Sequence, residues 1–298
     1  MPEDRLLVAI PARYGSTRFP GKPLAPVAGV PMLIRVFRQA RRAAEMLGLP
    51  AEGSVTVATD DGRIRNFAAA SGLSCVMTPA QCPTGSDRAL AAARALGRRP
   101  DIVANWQGDN PCCPPEFVAA LARELDRDPR AQVATPAVRL RWPELDALRA
   151  SKLATPFSGT FVAMRPLPDP ERPAGHGAAE AEGTLGRVAA RGDALYFSKR
   201  EIPALRGEKD RRASGSAFSP LLRHIGLYAA RFETLERFSA LPQGALEANE
   251  GLEQLRYLEN GLPVRVLAMD DGGRAPPHGV DSPEDIPGVE AWLADADG

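Results

Sequence analysis

Short apolar runs alternate with helix-period segments through the first half of the chain, and no other feature narrows the possible folds as far. Leu6–Ile10 (LLVAI), Ser54–Thr59 (SVTVAT), Ser74–Met77 (SCVM) and Asp101–Trp106 (DIVANW) read as strands. The segments Met32–Leu47, Arg63–Ser71, Arg88–Leu96 and Pro114–Leu125 read as helices. In the first of these, Met32, Leu33, Val36, Phe37, Ala40, Ala44 and Leu47 fall on one face at helical spacing. Strands that alternate with helices predict an α/β fold with a parallel sheet covered on both faces. Such sheets bind ligands in the loops at the carboxyl ends of their strands.

The second half is less regular. Val133–Leu140, Thr160–Met164, His224–Ala229 and Leu262–Met269 are strand candidates, and Arg187–Ala190 with Ala194–Ser198 suggests a hairpin around Arg191-Gly192-Asp193. Helices are expected near Phe232–Ala240, Leu246–Asn260 and Ser282–Ala294. Pro156–Gly186 is rich in Pro, Gly, Ala and Glu and reads as a mobile loop.

Composition excludes several classes. The 37 basic residues balance 37 acidic ones over 298 residues, so no basic excess points to nucleic acid or a membrane surface. With 44% hydrophobic residues the chain can bury a full core. No apolar run reaches the ~18 residues of a membrane span, and the opening MPEDRLLVAIPARYG does not read as a signal peptide. Cys75, Cys82, Cys112 and Cys113 form no C-x-x-C pair, and His176, His224 and His278 are the only histidines. That argues against a zinc site or disulfide framework and for a cytoplasmic protein with reduced thiols. Only Lys22, Lys152, Lys199 and Lys209 are lysines, a bias towards arginine that fits a GC-rich genome and says little about phosphate binding.

Four loops carry chemistry. Directly after the first strand, Pro11–Leu24 (PARYGSTRFPGKPL) gathers Arg13, Arg18 and Lys22 with two glycines and the Ser16-Thr17 hydroxyls. Glycines let backbone N–H groups approach an anion, while Arg forks and a Lys point charge neutralise phosphates. A P-loop does not fit, because Gly15 to Gly21 spans one residue too many and Pro23 stands where a metal-binding hydroxyl is needed. At the end of the strand through Trp106, Gln107-Gly108-Asp109-Asn110 presents a carboxylate above the sheet, as a magnesium ion bridging phosphates requires. Gly279-Val280-Asp281-Ser282-Pro283-Glu284 offers a second carboxylate, although Asp before Ser-Pro-Glu is also an ordinary helix start. Cys82–Arg88 supplies hydroxyls and main-chain N–H groups suited to a nucleobase or phosphate. No G-x-G-x-x-G follows the first strand, which argues against a NAD-dependent dehydrogenase.

Taken together, these segments resemble the 3-deoxy-manno-octulosonate cytidylyltransferases, the CMP-Kdo synthetases. Ile10–Leu24 matches the opening pattern of that family, Val57–Asp61 its V-A-T-D-D, Thr84–Arg88 its S-G-T-E/D-R and Trp106–Pro111 its V-Q-G-D-E-P. Ala194–Pro203, Arg223–Tyr228, Leu252–Arg256 and Gly279–Ile286 follow in order, so the resemblance covers nearly the whole chain.

The resemblance implies a mostly parallel Rossmann-like sheet of the nucleotide-diphospho-sugar transferase type, with a smaller β-rich region for the acceptor and dimerisation. It divides the chain into a nucleotide-binding part (1–140), an acceptor and dimerisation region (141–230) and a C-terminal part returning to the main domain (231–298). It implies CMP transfer from CTP to the anomeric hydroxyl of Kdo, a 2-keto sugar acid of lipopolysaccharide, with release of pyrophosphate. Arg13, Arg18, Lys22 and Asp109 would be catalytic. Pro11, Ala12, Arg13, Gly15, Ser16, Arg18, Lys22, Thr84, Gly85, Ser86, Arg88 and Gln107 would bind the nucleotide. Gln107, Lys199, His224, Tyr228, Glu253 and Gln254 would hold the acceptor, and Asp109 and Asp281 would bind Mg2+. A homodimer and a cytoplasmic location are implied too, with neither nucleic acid nor membrane as partner. The transfer would need positioning and charge neutralisation, with no covalent enzyme intermediate.

The chain departs from the family pattern on the acceptor side. Asn110 follows Asp109 where an acid is usual, Trp106 replaces a small aliphatic residue, and Lys199 replaces an arginine. The Asn-Pro-x-x-Val-Lys stretch is absent and Ser151–Gly186 stands in its place. Another acid acceptor (a Kdo variant, another 2-keto sugar acid or a phosphonate) and a non-enzymatic nucleotide-binding relative are the alternatives.

Overall fold

A computed structural model describes residues 4–16, 18–168, 184–274, 276–277 and 279–295. Thr17, His176, His278 and the centre of the expected 156–186 loop lie outside the described residues. In chain order the first strands are β1 (Leu6–Ala12), β2 (Pro26–Val27), β3 (Val30–Pro31), β4 (Val55–Thr59), β5 (Cys75–Met77) and β6 (Ile102–Trp106). They are followed by β7 (Val133–Arg141), β8 (Thr160–Pro166), β9 (Val188–Ser198), β10 (Phe218–His224), β11 (Leu227–Arg231) and β12 (Val264–Met269). The chain forms two compact units. Unit 1 comprises Met1–Asp128, Gly226–Ala240 and Pro276–Gly298; unit 2 comprises Pro129–Ile225 and Leu241–Ala275.

In unit 1 the order is β5-β4-β1-β6-β11. β1 lies between β4 and β6 in parallel, β5 joins β4 in parallel, and only β11 runs antiparallel, against β6. β1, β4 and β6 are almost wholly buried, as a parallel sheet covered on two faces requires. The helix Met32–Met46 turns Met32, Leu33, Val36, Phe37, Ala40, Ala43 and Ala44 inward and packs on the helix Pro115–Arg127. The helices Gly85–Ala95 and Phe232–Ala240 form a second packed pair.

Unit 2 is built differently. β7 pairs in parallel with β12, β12 antiparallel with β9, β9 with β8, β8 with β10, and β10 returns to β7, so five strands close into a ring. Closure leaves no long unpaired edge. Because β7 belongs to this ring, the first part of the chain ends at Asp128 and not near 140, and residues 241–275 belong to unit 2 and do not return to unit 1.

Several elements differ from the sequence expectation for local reasons. The segment 188–198 is one continuous strand, not a hairpin: Gly192 stays extended because a Cβ there would lie 2.6 Å from the Arg165 carbonyl of β8. The strand expected at 224–229 is two, broken at Ile225-Gly226. The helix expected at 246–260 splits into Ala245–Glu250 and Leu255–Glu259, because Gly251 takes a left-handed φ of 65° and ends the first piece. The helix Trp142–Ala154 was not expected. Pro143 lies in its first turn, and the Glu144 carboxylate accepts the Arg141 N–H at 2.7 Å. Among the described residues no helix is long and apolar enough to cross a membrane.

In unit 2, Arg256 and Glu247 form a buried two-pronged pair, Nε to Oε2 at 2.7 Å and Nη2 to Oε1 at 2.6 Å. Removing one partner strands a buried charge, which costs about 3–5 kcal/mol. Arg256→Ala is therefore expected to lower the urea midpoint of unfolding by an amount equivalent to about 3–5 kcal/mol, measured by far-UV circular dichroism.

Candidate active site

The loop after β1 supplies the densest charge in unit 1. Gly21 adopts a left-handed φ of 73° and turns the chain into the short 3-10 helix Lys22–Leu24. That turn aims the Lys22 ammonium, which donates to Asp109 Oδ2 at 2.7 Å and to the Val280 carbonyl at 2.8 Å. The Val280 N–H donates to the Asp109 carbonyl at 2.8 Å. Glycines make this convergence possible. A Cβ on Gly108 would lie 2.7 Å from the Pro11 carbonyl, and one on Gly279 would lie 2.8 Å from the Asp109 carbonyl. Arg18 reaches Asp281 Oδ1 at 3.5 Å in a more exposed pair, and Asp285 accepts the Asp281 N–H at 2.8 Å. The structure thus brings together Arg18, Lys22, Asp109 and Asp281, the cations and carboxylates expected to handle triphosphate and metal.

Pro11 and Ala12 end β1, and the Arg13 guanidinium donates to the Cys82 carbonyl, tying the loop after β1 to the 82–88 loop. Gly15 faces open space, and Ser16 Oγ accepts the Phe19 N–H at 3.4 Å. Sequence reasoning overlooked Tyr14. Its carbonyl accepts the Ser16 and Gly21 N–H groups at 3.0 and 2.9 Å, and its ring lies 3.2 Å from the position a Gly21 Cβ would take. The Arg63 guanidinium stacks 3.4 Å from the centre of that ring. Arg63 in turn bonds to Asp61 at 2.6 Å and holds that carboxyl down at about 2, well below its ordinary range.

The 82–88 loop opens the helix Gly85–Ala95, which starts three residues before the expected Arg88. Thr84 accepts the Asp87 N–H, and the Asp87 carboxylate accepts the Thr84 N–H and hydroxyl. Ser86 is buried and accepts from Asn105 Nδ2 at 3.3 Å. Gly85 is backed by the Asn105 and Gln107 amides, 3.0 and 3.5 Å from where its Cβ would be. Arg88 departs from its expected contact with the nucleotide. Its side chain is fully buried and donates to Thr78 Oγ1 at 2.7 Å and Asp60 Oδ2 at 3.0 Å, so it braces the loops that follow β5 and β4. The Thr-Asp-Asp motif that supplies Asp60 and Asp61 was the available signal, and its role is support. Asn105 was missed as well, although its Oδ1 is buried with no hydrogen-bond partner among the described residues.

The expected acceptor residues are divided between the units. Tyr228 lies in unit 1, on β11 opposite Asn105 of β6, and is buried. In unit 2, His224 ends β10, 2.8 Å from Thr135 Oγ1, with its ring edge-on to Phe197. Burial, with Lys199 and Arg223 nearby, pushes its pKa down to about 3, so the imidazole is neutral at physiological pH. Lys199 takes its place through the backbone, its N–H donating to Glu250 Oε2 at 2.8 Å. Gln254 is buried, and its Nε2 has no hydrogen-bond partner among the described residues. Glu253 precedes it and is half-buried.

Among the described residues no group of three or more His, Cys, Asp or Glu side chains could hold a metal by itself. Asp109 and Asp281 are two hard oxygen donors, which suits Mg2+, an ion that takes one or two carboxylates and completes its shell with substrate phosphates and water. Two of the departures from the family pattern prove to be coupled. Trp106 is buried beneath the turn, and its Nε1–H donates to the Asn110 carbonyl at 3.2 Å, while the Asn110 side chain is itself buried. All four cysteines are free, and burial pushes the Cys113 thiol well above its ordinary pKa.

A parallel sheet with cationic and acidic loops at its strand ends fits a nucleotidyltransferase, and the sequence profile of the cytidylyltransferase family matches residues 7–266. The chain is 43% identical to the 3-deoxy-manno-octulosonate cytidylyltransferase of Maricaulis maris, over 97% of each chain. It is 40% identical to that of Anaeromyxobacter dehalogenans, over 96% of this chain and 97% of the relative. The chain therefore belongs to the 3-deoxy-manno-octulosonate cytidylyltransferase family. A solved CMP:2-keto-3-deoxy-manno-octonic acid synthetase complexed with CTP superposes with a TM-score of 0.72 at 31% identity, covering 98% of this chain and 99% of that one. The fold extends to a 4-diphosphocytidyl-2C-methyl-D-erythritol synthase from Anaerococcus prevotii, at a TM-score of 0.53, 10% identity and coverage of 98% of this chain and 99% of that one.

His224 gives a prediction whose sign follows from linkage. Its folded pKa of about 3 lies below the ordinary 6.5, so its contribution to stability is complete above pH 6.5 and is lost as pH falls towards 3. Between pH 6.5 and 5 the loss should approach about 1.4 kcal/mol per pH unit. Thermal melts across that range should show this slope, and His224→Gln should flatten it.

Proposed function

We propose that this chain transfers CMP from CTP to the anomeric hydroxyl of 3-deoxy-manno-octulosonate. The anomeric oxygen attacks the α-phosphorus and loses its proton, the bond from that phosphorus to the β-phosphate bridging oxygen breaks, and pyrophosphate leaves. The observation that carries this reading is the junction of Lys22 with Asp109 and Val280. It sets an ammonium and a carboxylate side by side at the strand ends of unit 1, which supports one as a phosphate ligand and the other as a metal ligand. Asp109 and Asp281 would hold Mg2+, which supplies charge neutralisation at the phosphates when bound. Arg13, Arg18 and Lys22 bind the triphosphate and stabilise charge as the leaving group departs. The 82–88 loop, with Asn105 and Gln107 behind Gly85, takes the cytosine.

In unit 2, Lys199, His224, Glu253 and Gln254 would hold the acceptor. Gln254 Nε2 supports that assignment, because a buried donor with no partner among the described residues suits an anionic ligand. His224 takes part as a neutral hydrogen-bonding group. The reaction calls for no protein nucleophile, so positioning and electrostatics carry the rate.

We further propose that the protein works in the cytoplasm as a homodimer joined through unit 2. Leu153, Phe157 and Leu195 support this, as large apolar side chains of that unit that are exposed in the single chain.

Pyrophosphate release should be measured with CTP and Mg2+, offering Kdo beside other 2-keto sugar acids and phosphonates. Release with Kdo is expected, with Asp109→Ala and Lys22→Ala each lowering kcat by about 10²–10³-fold. Silence with Kdo but release with another acid would overturn the choice of acceptor, and silence throughout would overturn the enzymatic reading. Light scattering coupled to size exclusion should give a dimer mass for the native chain and a monomer for Leu195→Asp.

A further inference from the structure

Where a strand ends, the backbone loses its ladder partners, and other groups must fix the residue that follows. In unit 2 this bears on Lys199, which directly follows β9. β8 runs between β9 and β10, with Phe161 opposite both Ser198 and Arg223, and Thr160 opposite His224. Lys199 and His224 therefore lie at one end of the strand ring. Phe197, two residues before Lys199, meets the His224 ring edge-on with centroids 5.1 Å apart.

Two charged side chains take over from the ladder at this point. Glu250 ends the helix Ala245–Glu250 and brings both carboxylate oxygens to the turn. Its Oε1 accepts the Ser198 hydroxyl at 2.7 Å, and its Oε2 accepts the Lys199 N–H at 2.8 Å. Ser198 Oγ accepts the Arg200 N–H at 2.9 Å. From another segment, the Lys152 ammonium donates to the Lys199 carbonyl at 2.8 Å, to the Gly159 carbonyl at 3.1 Å and to the Ser158 carbonyl. An ammonium has three donors, and these three carbonyls match them. An anion thus holds the N–H of Lys199 and a cation holds its C=O, from positions 51 and 47 residues away. Hydrogen bonds with one ionised partner are stronger than neutral ones.

We propose that Lys152 and Glu250 are positioning residues for the acceptor, fixing the Lys199 turn beside His224 where an anionic sugar acid is held. The inference rests on the assignment of Lys199 and His224 to the acceptor. A side chain carried on a fixed turn is in place before the ligand arrives, so binding does not have to order it. Neither Lys152 nor Glu250 needs to touch the substrate. Lys152 also gives the clamp a pH limit. Burial brings its pKa down to about 8, with the charges of Lys199 and Arg200 adding to the fall and Glu250 opposing it. Above that pH the ammonium becomes an amine with two donors for three carbonyls, and the hold on Lys199 loosens.

The test is steady-state pyrophosphate release with CTP, Mg2+ and Kdo, each substrate being varied in turn. Lys152→Met and Glu250→Ala should each raise KM for Kdo by about tenfold. KM for CTP and kcat should change little, a split that general damage to the fold would not produce. Glu250→Gln, which keeps the shape and one acceptor oxygen, should give a smaller rise. The second readout needs no substitution, because KM for Kdo should rise in the native chain as pH passes about 8. That rise should be absent from Lys152→Met. A KM for Kdo indifferent to both residues, or losses shared equally with CTP affinity and kcat, would overturn the proposal while leaving the reaction intact. Absence of turnover with Kdo by the native chain would overturn the acceptor reading and this inference with it, so the two failures are told apart.

Discussion

The Lys22 ammonium holds together the loops at the strand ends of unit 1. It donates to a carboxylate 87 residues away and to a carbonyl 258 residues away, so three loops distant in sequence meet at one nitrogen. Each partner is fixed from another side. The Asp109 turn rests on the end of β1 through a glycine with no room for a side chain, and Val280 returns a hydrogen bond to the Asp109 carbonyl. The Lys22–Asp109 pair is mostly shielded, at 13% and 29% side-chain exposure, so its attraction is screened less than that of the outer Arg18–Asp281 pair. Positive and negative groups thus neutralise each other in the free protein while keeping the positions that a triphosphate and its counter-ion would use.

Much of unit 1 was legible because its physics is local. β1, β4 and β6 are short apolar runs buried on both faces, and the helix from Met32 advertises its inward face at regular spacing. The loops could be read for charge, which identified Arg18, Lys22, Asp109 and Asp281. What could not be read was where each polar side chain spends its hydrogen bonds. Arg88 stands in a motif that suggests ligand contact, yet its two terminal nitrogens are taken by Thr78 and Asp60 inside the protein. Tyr14 carries no charge and so gave no signal, although its ring lies between Arg63 and Gly21 and its carbonyl organises the loop.

Unit 2 was harder because its contacts are non-local. Gly192 looked like a turn, since glycine flanked by Arg and Asp is common in hairpins. The demand there is instead for space, imposed by a carbonyl of β8. The helix Trp142–Ala154 has only a weak apolar stripe, with Trp142 and Leu145 as its buried residues, so periodicity did not mark it. His224 was readable as a site residue only by family pattern. Its character as a neutral imidazole comes first from burial, against Thr135 and Phe197 of other strands, and then from the charges of Lys199 and the adjacent Arg223.

Unit 1 is assembled from three stretches of chain, and Val280 and Asp281 belong to the last. During synthesis the parallel sheet can form from the first 128 residues and the strand at 227–231, yet the Lys22 ammonium then has only Asp109 to bind. The second hydrogen bond and the second carboxylate arrive when residues 280 and 281 leave the ribosome. Until residue 280 has been added, the Lys22 loop therefore lacks one of the two acceptors that it has in the folded protein. The closing of this face is in this sense set by topology, through a stretch of chain far from the sheet that it completes.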